Sequence, residues 1–512
     1  MRTSSALLLL LILVLWSSCR SDFETVESTG NLEFSRDTVF LDTIFTNLSS
    51  ATHTLKVYNR SNEDIHIPKI ELAQGESSAY RLNVDGLAGK SFDDIEILAK
   101  DSIYIFIEST VELQDNEQQE FLYTDAIQFS SSGHLQEVPV LTLVKDAFFL
   151  YPEKDEKGIV ETIPIGTNEE GEEIEVNGFY LKEEHLNLTN EKAYVIYGYA
   201  VVPSGKTLTI DEGARIYFHA NSGILVSEGA TMNVNGSFSE NRENPKNQVI
   251  FAGDRLGAEF QKTPGQWGTI WFKKGSFNNS MNYTTILNAT VGILAEGESQ
   301  DTAPLLQLKN TQIYNSGING LRGVAARVTA ENLVVNNSGQ ASVHLTGGSY
   351  EFKHSTLVNY WGQGFRLYPA VILENEIQTS ANVQTIGLEK ALFSNCIIYG
   401  NEKQELYLNQ NENATFNFEF RNCLIRFEDS AGSFSNEPLY NFTNEDHYRE
   451  IILNENPFFW NANENNLRLQ AGSPAIDFGN ISTANEVPFD ILQVSRIPEP
   501  DLGAYEWKSP EE

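Results

Sequence analysis

Short alternations of apolar and polar residues run along the first third of the chain. "TVFLDTIF" (38–45), "HTLKVYN" (53–59), "IHIPKIEL" (65–72), "SIYIFIEST" (102–110), "AIQFS" (126–130) and "EVPVLTLV" (137–144) are β-branched or aromatic runs, divided by turn clusters such as "NRSNED" and "AQGESS". A period of two in such residues fits a half-buried sheet, so residues 32–146 are expected to form an all-β sandwich. Residues 152–177 ("PEKDEKGIVETIPIGTNEEGEEIEVN") are charged and lack a sustained strand period, so 147–193 is expected to be a solvated linker leading into the next module.

From about residue 194 the pattern repeats. "TLTI", "RIYF", "GILV", "TMNVNG" and "QVIF" follow one another at short spacing. A longer unit then recurs in "LKNTQIYNS" (308–316), "AENLVVNNS" (330–338), "KHSTLVNYW" (353–361), "FSNCIIYGN" (393–401) and "FRNCLIRFE" (420–428), with "YTTILNAT" (283–290) as an earlier member. Laid over one another, these place Asn310, Asn332, Ser355, Asn395 and Asn422 in one column. A period in the low twenties, short strands and no helical pattern between them predict a β-solenoid, because one turn of such a coil cannot bury its inward face alone. Stacked turns pair strand on strand and align like side chains into ladders. The asparagine column is expected to be an amide ladder, and Ile313, Val335, Val358, Ile398 and Ile425 an aliphatic ladder inside the coil. The wider spacing between the third and fourth units implies a long excursion over about 366–390.

Three stretches add a resemblance. "LKVYNRSNEDIHIPKIEL" resembles the first half of immunoglobulin-like domains found beside larger bacterial surface modules. "VVPSGKTLTIDEGARIYF" (201–218), "PGQWGTIWF" (264–272) and "GSPAID…DLGAYEW" are similar to successive landmarks of right-handed parallel β-helix envelope lipoproteins of Gram-negative bacteria, a family largely without assigned activity. The likeness covers about 194–507 and implies an Ig-like β-sandwich followed by a right-handed parallel β-helix, in keeping with the handedness of parallel crossovers. At the other end, Met1 and Arg2, the apolar run Leu7–Leu15 and "WSSC" resemble a lipoprotein signal. The resemblance implies a signal peptide over 1–18, lipid on Cys19 and a tether over 19–31, placing the protein in the cell envelope on the outer membrane. No second apolar run of about 18 residues, the length a spanning helix needs, follows.

Charge narrows the partners. The net charge of −35 leaves no basic surface for phosphate, which excludes nucleic acid. Residues 1–190 carry 34 acids and 13 bases, 191–430 carry 22 and 18, and 431–512 carry 14 and 4, so the coil (194–430) is near neutral between acidic ends. Beyond Cys19 the only cysteines are Cys396 and Cys423, in equivalent columns; they form no zinc set and are expected to stack as small apolar groups.

Chemistry is sparse. A glycoside hydrolase needs paired carboxylates across the sugar. The aspartates of the coil, Asp211, Asp254, Asp301 and Asp429, are isolated, and Asp-Asp, Gly-His-Gly and Arg-x-Lys are absent. Among the glutamates (228, 259, 296, 331, 351, 374 and 376) no two can be fixed in one column, and His219, His344 and His354 stand without nearby aspartates. No catalytic or metal residue is therefore assigned and no cofactor expected; Glu169, Glu170, Glu172, Glu173 and Glu175 leave Ca²⁺ as a possibility without the fixed geometry of a binding loop. Sugar binding requires flat aromatic rings with amides alongside, and Trp267, Trp271, Tyr360, Trp361 and Tyr368 are the candidate platform. The expected function is a monomeric, membrane-tethered binding or scaffold protein with a polysaccharide as ligand. A lyase or hydrolase with a divergent site near 344–390, or an adhesin for an envelope protein, is the alternative. The tail 431–512 is expected to supply the last rungs and a cap. There "NLRLQAGSPAID" gives a strand and a turn through Asp477 and a positive-φ Gly479, and "DLGAYEW", with Asp501 and Gly503, brings Leu502, Tyr505 and Trp507 over the exposed last rung.

Overall fold

A computed structural model describes residues 25–112, 120–131, 133–168, 171–241, 245–298, 303–378 and 383–509. Cys19, Glu169, Glu170 and Asp301 lie outside the described residues. The chain divides into two compact units, Met1–Asp146 and Ala147–Glu512. Among the described residues no helix is long and apolar enough to cross a membrane.

The first unit is a two-sheet sandwich. One sheet orders Val26–Glu27, Ile65–Leu72, Glu120–Ser131, His134–Lys145 and Val39–Phe40, with Ser91–Ile97 and Ile44–Phe45 paired beside them. The other orders Glu33–Phe34, His53–Tyr58, Ser102–Ser109, Tyr80–Val84 and Leu87–Gly89. The alternation read in the sequence is the alternation of burial: Ile103, Ile105 and Ile107 point inward against Ile67, Ile127 and Val140, while Tyr104 and Phe106 face out.

The second unit is a three-sided coil of parallel strands, the architecture of a β-helix. A typical turn comprises Leu306–Lys309, Gln312–Ser316 and Asn319–Val324, and each strand pairs in parallel with its equivalent in the next turn, Arg327–Glu331, Val334–Ser338 and Val343–Thr346. These three strand positions define a first, second and third face. Inside, Phe352, Phe393, Phe420 and Tyr448 stack rung on rung with centroids 4.9, 4.8 and 5.7 Å apart, so the aromatic ladder follows the strand spacing.

Register corrects the sequence overlay at one rung. Gln312, Val334, Thr356, Ile397 and Leu424 are aligned, which puts His354, not Ser355, in the column of Asn310, Asn332, Asn395 and Asn422. Ser355 belongs instead with Leu333, Cys396 and Cys423, and Leu357, not Val358, completes the aliphatic ladder. The column is the corner between the first and second faces. Its members adopt left-handed φ values of 47° (Asn310), 53° (Asn332), 48° (His354), 56° (Asn395) and 47° (Asn422). Asparagine and histidine are the side chains that tolerate that conformation best, so backbone geometry selects the column. Amide-to-amide bonding is confined to part of it: Asn332 Nδ2 donates to Asn310 Oδ1 (2.9 Å), and Asn310 Nδ2 to Asn282 Oδ1 (3.1 Å).

Two loops also differ. The expected linker contains an antiparallel hairpin, Thr162–Thr167 with Glu173–Tyr180, whose second strand begins the third face. Ile163, Ile165 and Val176 face the coil while the charges face solvent, an alternation hidden by the density of glutamate. The expected excursion is interrupted by Val371–Glu374, a regular third-face strand, and so becomes a loop over 360–370 and a hairpin, Glu376–Gln378 with Val383–Thr385.

The segment carrying Asp477 and Asp501 does not plug the last rung; an earlier part of the 431–512 tail does. Phe434, Tyr440 and Phe442 close that end, packing with Phe427 against the coil's core. The tail from Phe459 to Trp507 lies along the outside of the second face, where Leu467, Leu469, Ala475, Ile491, Leu502, Ala504 and Tyr505 cover Tyr314, Val334, Val358, Ile397, Tyr399 and Leu424. Asp477, not Gly479, carries the positive φ (56°); Gly479 is needed because a Cβ there would lie 2.7 Å from Pro500 O. Gly503 (φ 85°) donates its N–H to Asn395 O at 2.8 Å, and Asp501 accepts from the amides of Asp477 (2.8 Å) and Trp507 (2.6 Å).

Candidate functional site

The aromatic residues read as a platform divide into structural and displayed members. Trp267 is buried in the coil, stacked on Phe218 at 4.2 Å, with Nε1 donating to Leu287 O at 2.8 Å. Trp271 lies on the third face beneath the 162–180 hairpin, with Nε1 donating to Glu296 (2.9 Å) and Lys273 Nζ 4.1 Å from its ring centroid. Tyr360 packs against the tail through Phe459. On the 360–370 loop at the edge of the third face, Tyr368 is exposed together with Phe365 and Leu367, and Trp361 is half-buried.

A buried ion pair holds that loop. Arg366 is 2% exposed and Glu405 0% in their side chains. Arg366 Nη2 donates to Glu405 Oε1 at 2.6 Å and to Asn359 O at 3.0 Å, and Nη1 donates to Glu405 Oε2 at 2.9 Å and to Tyr368 O. The amides of Ala370 (2.7 Å) and Glu402 (2.8 Å) donate to the same carboxylate. Burial pushes Glu405 above the usual carboxylate range against these donors. The planar guanidinium fork fixes Arg366 inward, so Phe365 and Leu367 on either side are fixed outward.

Next to the loop, three consecutive rungs of the third face bring together Arg322, His344, Thr346 and Glu374. Arg322, His344, Ile372 and Tyr407 share one outward column, and Val324, Thr346, Glu374 and Asn409 the next. His344 Nε2 lies 2.8 Å from Glu374 Oε1, Thr346 Oγ1 donates to that oxygen at 2.6 Å, and Arg322 Nη1 donates to Thr346 Oγ1 at 2.7 Å. Despite the cost of burial, the hydrogen bonds from His344 and Thr346 hold Glu374 below its ordinary pKa, and burial lowers that of His344. The set is therefore an ionised carboxylate orienting a neutral imidazole. Glu376, just beyond, accepts from Asn411 Nδ2 at 2.8 Å.

The other histidines have partners that sequence spacing did not show: His219 Nδ1 is 2.8 Å from Asp254, and buried His354 contacts Asn395 at 2.9 Å. Glu331 pairs outward with Lys309 (3.0 Å), and Glu351 with Lys353 (2.8 Å) and Lys390. Cys396 and Cys423 are free and buried. Glu175 accepts from Thr162 and Glu172 from Asn168, and among the described residues no cluster of three or more potential ligands is placed to hold a metal. A separate cavity of about 770 Å³ opens at the start of the coil between Phe149, Tyr151, Ile159 and His185, where Lys182 is paired with Glu153 at 3.0 Å.

Arg322, Thr346, Phe365, Arg366 and Glu405 escaped the sequence reading. The visible repeat follows the second-face strands; the overlay of "NGLRGV" (319–324), "ASVHLT" (341–346) and "PAVILE" (369–374) places Arg322 beside His344 and Thr346 beside Glu374.

No protein-family model matches the chain, and no curated protein matches its sequence. Among solved structures, the chain is similar to the catalytic unit of a GH87 α-1,3-glucanase from Streptomyces thermodiastaticus, at 8% identity over 72% of this chain and 83% of that one, with a TM-score of 0.20. It is similar to a family 123 glycoside hydrolase from Clostridium perfringens at 7% identity, over 22% of this chain and 26% of that one (TM-score 0.15). A PapD-like domain of human CEP192 matches at 8% identity, over 23% of this chain and 85% of that one (TM-score 0.15). Likeness at these scores carries no argument about the site, and the chain stands as an all-β protein with large parallel sheets.

Proposed function

We propose that this chain is a monomeric polysaccharide-binding protein of the bacterial outer membrane, tethered by lipid on Cys19, with the Ig-like sandwich as spacer and the right-handed coil as binding module. The observation that carries the reading is the 360–370 loop. A buried, bidentate Arg366–Glu405 pair holds Phe365 and Leu367 in solvent beside Trp361 and Tyr368. Exposing large apolar groups costs free energy unless a ligand covers them, and aromatic rings with amide oxygens alongside (Asn401, whose Nδ2 donates to Trp361 O, and Gln363, whose Nε2 donates to Lys262 O) suit the flat apolar face of a sugar. The near-neutral coil admits neutral and anionic chains alike. Retention of the full chain on immobilised polysaccharides, anionic and neutral, tests the reading: binding lost in Trp361→Ala and Phe365→Ala supports it. Absence of retention on every glycan removes it in favour of an envelope-protein partner. Radiolabelled palmitate incorporation, abolished by Cys19→Ala, tests the anchor, and addition of a chelator to the retention assay tests any Ca²⁺ requirement.

A further inference from the structure

The third-face cluster leaves two groups unspent. His344 gives Nε2 to an ionised Glu374, so the proton sits on Nε2 and the lone pair on Nδ1, for which no protein partner exists among the described residues. Arg322 spends Nη1 on Gly323 O, His344 O and Thr346 Oγ1, while Nη2 lies 3.7 Å from Glu374 Oε1, beyond hydrogen-bond length. Both side chains are one-fifth exposed, and their strands are adjacent rungs, about 4.8 Å apart. An imidazole lone pair and a guanidinium nitrogen that is ion-paired with Glu374 but not hydrogen-bonded to it thus lie on partly exposed side chains one rung from each other, next to the loop that displays the aromatic side chains.

The chemistry such a pair can perform is narrow. The cluster holds no serine or cysteine nucleophile, and the amides of these strands are taken up by the parallel ladders, so no oxyanion hole faces outward. Glycoside hydrolysis needs two carboxylates acting on the sugar, whereas Glu374 is consumed in orienting His344. Proton abstraction beside a carboxylate needs only a base and a cation to hold that carboxylate.

We propose that Arg322, His344 and Glu374 form a base site for β-elimination on a uronate-containing polysaccharide, an inference that rests on the glycan-binding reading above. His344 Nδ1 takes the proton from the sugar carbon next to the carboxylate, which Arg322 Nη2 holds. The electron pair of the broken C–H bond becomes the new C=C double bond, and the adjacent C–O bond to the neighbouring sugar breaks. The departing oxygen takes a proton from water, and His344 returns its own proton to solvent. Glu374 and Thr346 are positioning residues: they touch His344 and Arg322 rather than substrate.

The test incubates the full chain with polygalacturonate, alginate and, as the neutral control, dextran, reading both retention and the ultraviolet absorbance of unsaturated ends. Unsaturated product from a polyuronate, falling about 10²–10⁴-fold in His344→Ala at unchanged melting temperature, is expected. Arg322→Lys should weaken retention on the polyuronate while leaving retention on dextran as it was, a split that a merely structural role would not produce. Glu374→Gln should lower kcat more than it changes KM. Retention without unsaturated product overturns the base site and leaves the binding reading intact, whereas no retention on any glycan overturns both. Product that persists in His344→Ala removes His344 as the base.

Discussion

Arg366 and Gly503 show how single residues set the surface of this coil. Removing one partner of a buried pair strands the other charge, which costs about 3–5 kcal/mol. Arg366→Ala should therefore lower the melting temperature by that equivalent and abolish retention on any glycan the loop binds. A fully retained ligand in Arg366→Ala would show that the displayed side chains are not the contact. Gly503 is a separate constraint: its φ of 85° is left-handed, and a Cβ would lie 2.6 Å from Thr356 Oγ1 and 2.9 Å from Ile397 Cδ1. Gly503→Ala is expected to cost about 1–3 kcal/mol of strain and to loosen the tail first, seen as faster proteolysis between 478 and 507 with retention unchanged. Asp477 lies on the exposed outside of its turn and supplies only its amide to Asp501, so Asp501→Ala should destabilise more than Asp477→Ala.

At the scale of elements, the repeat was legible because one physical demand recurs each turn: a left-handed corner followed by a strand with an inward aliphatic residue. Asn310, Asn332, Asn395 and Asn422 announced that corner, and the slip at His354 came from aligning on polarity when the shared property was backbone conformation. The second-face strands carried a further signal. "LVV", "TLV", "CIIY" and "CLI" are apolar on both alternations, the mark of a sheet covered on both sides, and the tail is that cover. The candidate site was not legible, since Arg322, His344 and Glu374 are separated by 22 and 30 residues and meet only through third-face register. The hairpin over 162–180 was hidden for a related reason: Ile163, Ile165 and Val176, with Phe179 in the coil's core, make its apolar side among eight glutamates between 153 and 175. Trp271→Ala should uncouple this hairpin from the coil, lowering stability by less than the ~3–5 kcal/mol of a fully buried tryptophan and leaving glycan retention unchanged.

On the scale of the whole second unit, the tail ties rungs far apart in sequence to one another, and its anchor is a buried charge cluster. Arg496 is fully buried and donates to Asn332 Oδ1 at 2.8 Å, to Gly503 O at 3.1 Å and to Glu506. Asp490 and Asp501 also act on it, and its charge bears on His354 from the coil side. Three carboxylates crowd one guanidinium out of contact with water. Burial raises Asp490, pushes Asp501 up to about 6 and pushes Glu506 up to about 8, so the docked tail holds protons that the released tail gives up. The stabilisation from Asp501 and Glu506 is complete below about pH 4 and is lost as pH rises through about 6 and about 8 respectively. His354 has the opposite sign: burial holds it well below its ordinary value, so its share is complete above about pH 6.5 and is lost on acidification. Between about pH 6.5 and 8, Glu506 dominates the balance, and docking weakens as pH rises. Hydrogen exchange of the segment 459–507, corrected for the intrinsic pH dependence of exchange, should therefore show falling protection across that window. Binding of a hydrophobic dye to the uncovered Tyr314, Val358 and Tyr399 should rise with it. Glu506→Gln, which keeps the shape and removes the titration, should flatten both trends; protection that increases with pH in the unmodified chain would contradict the anchor described for Arg496.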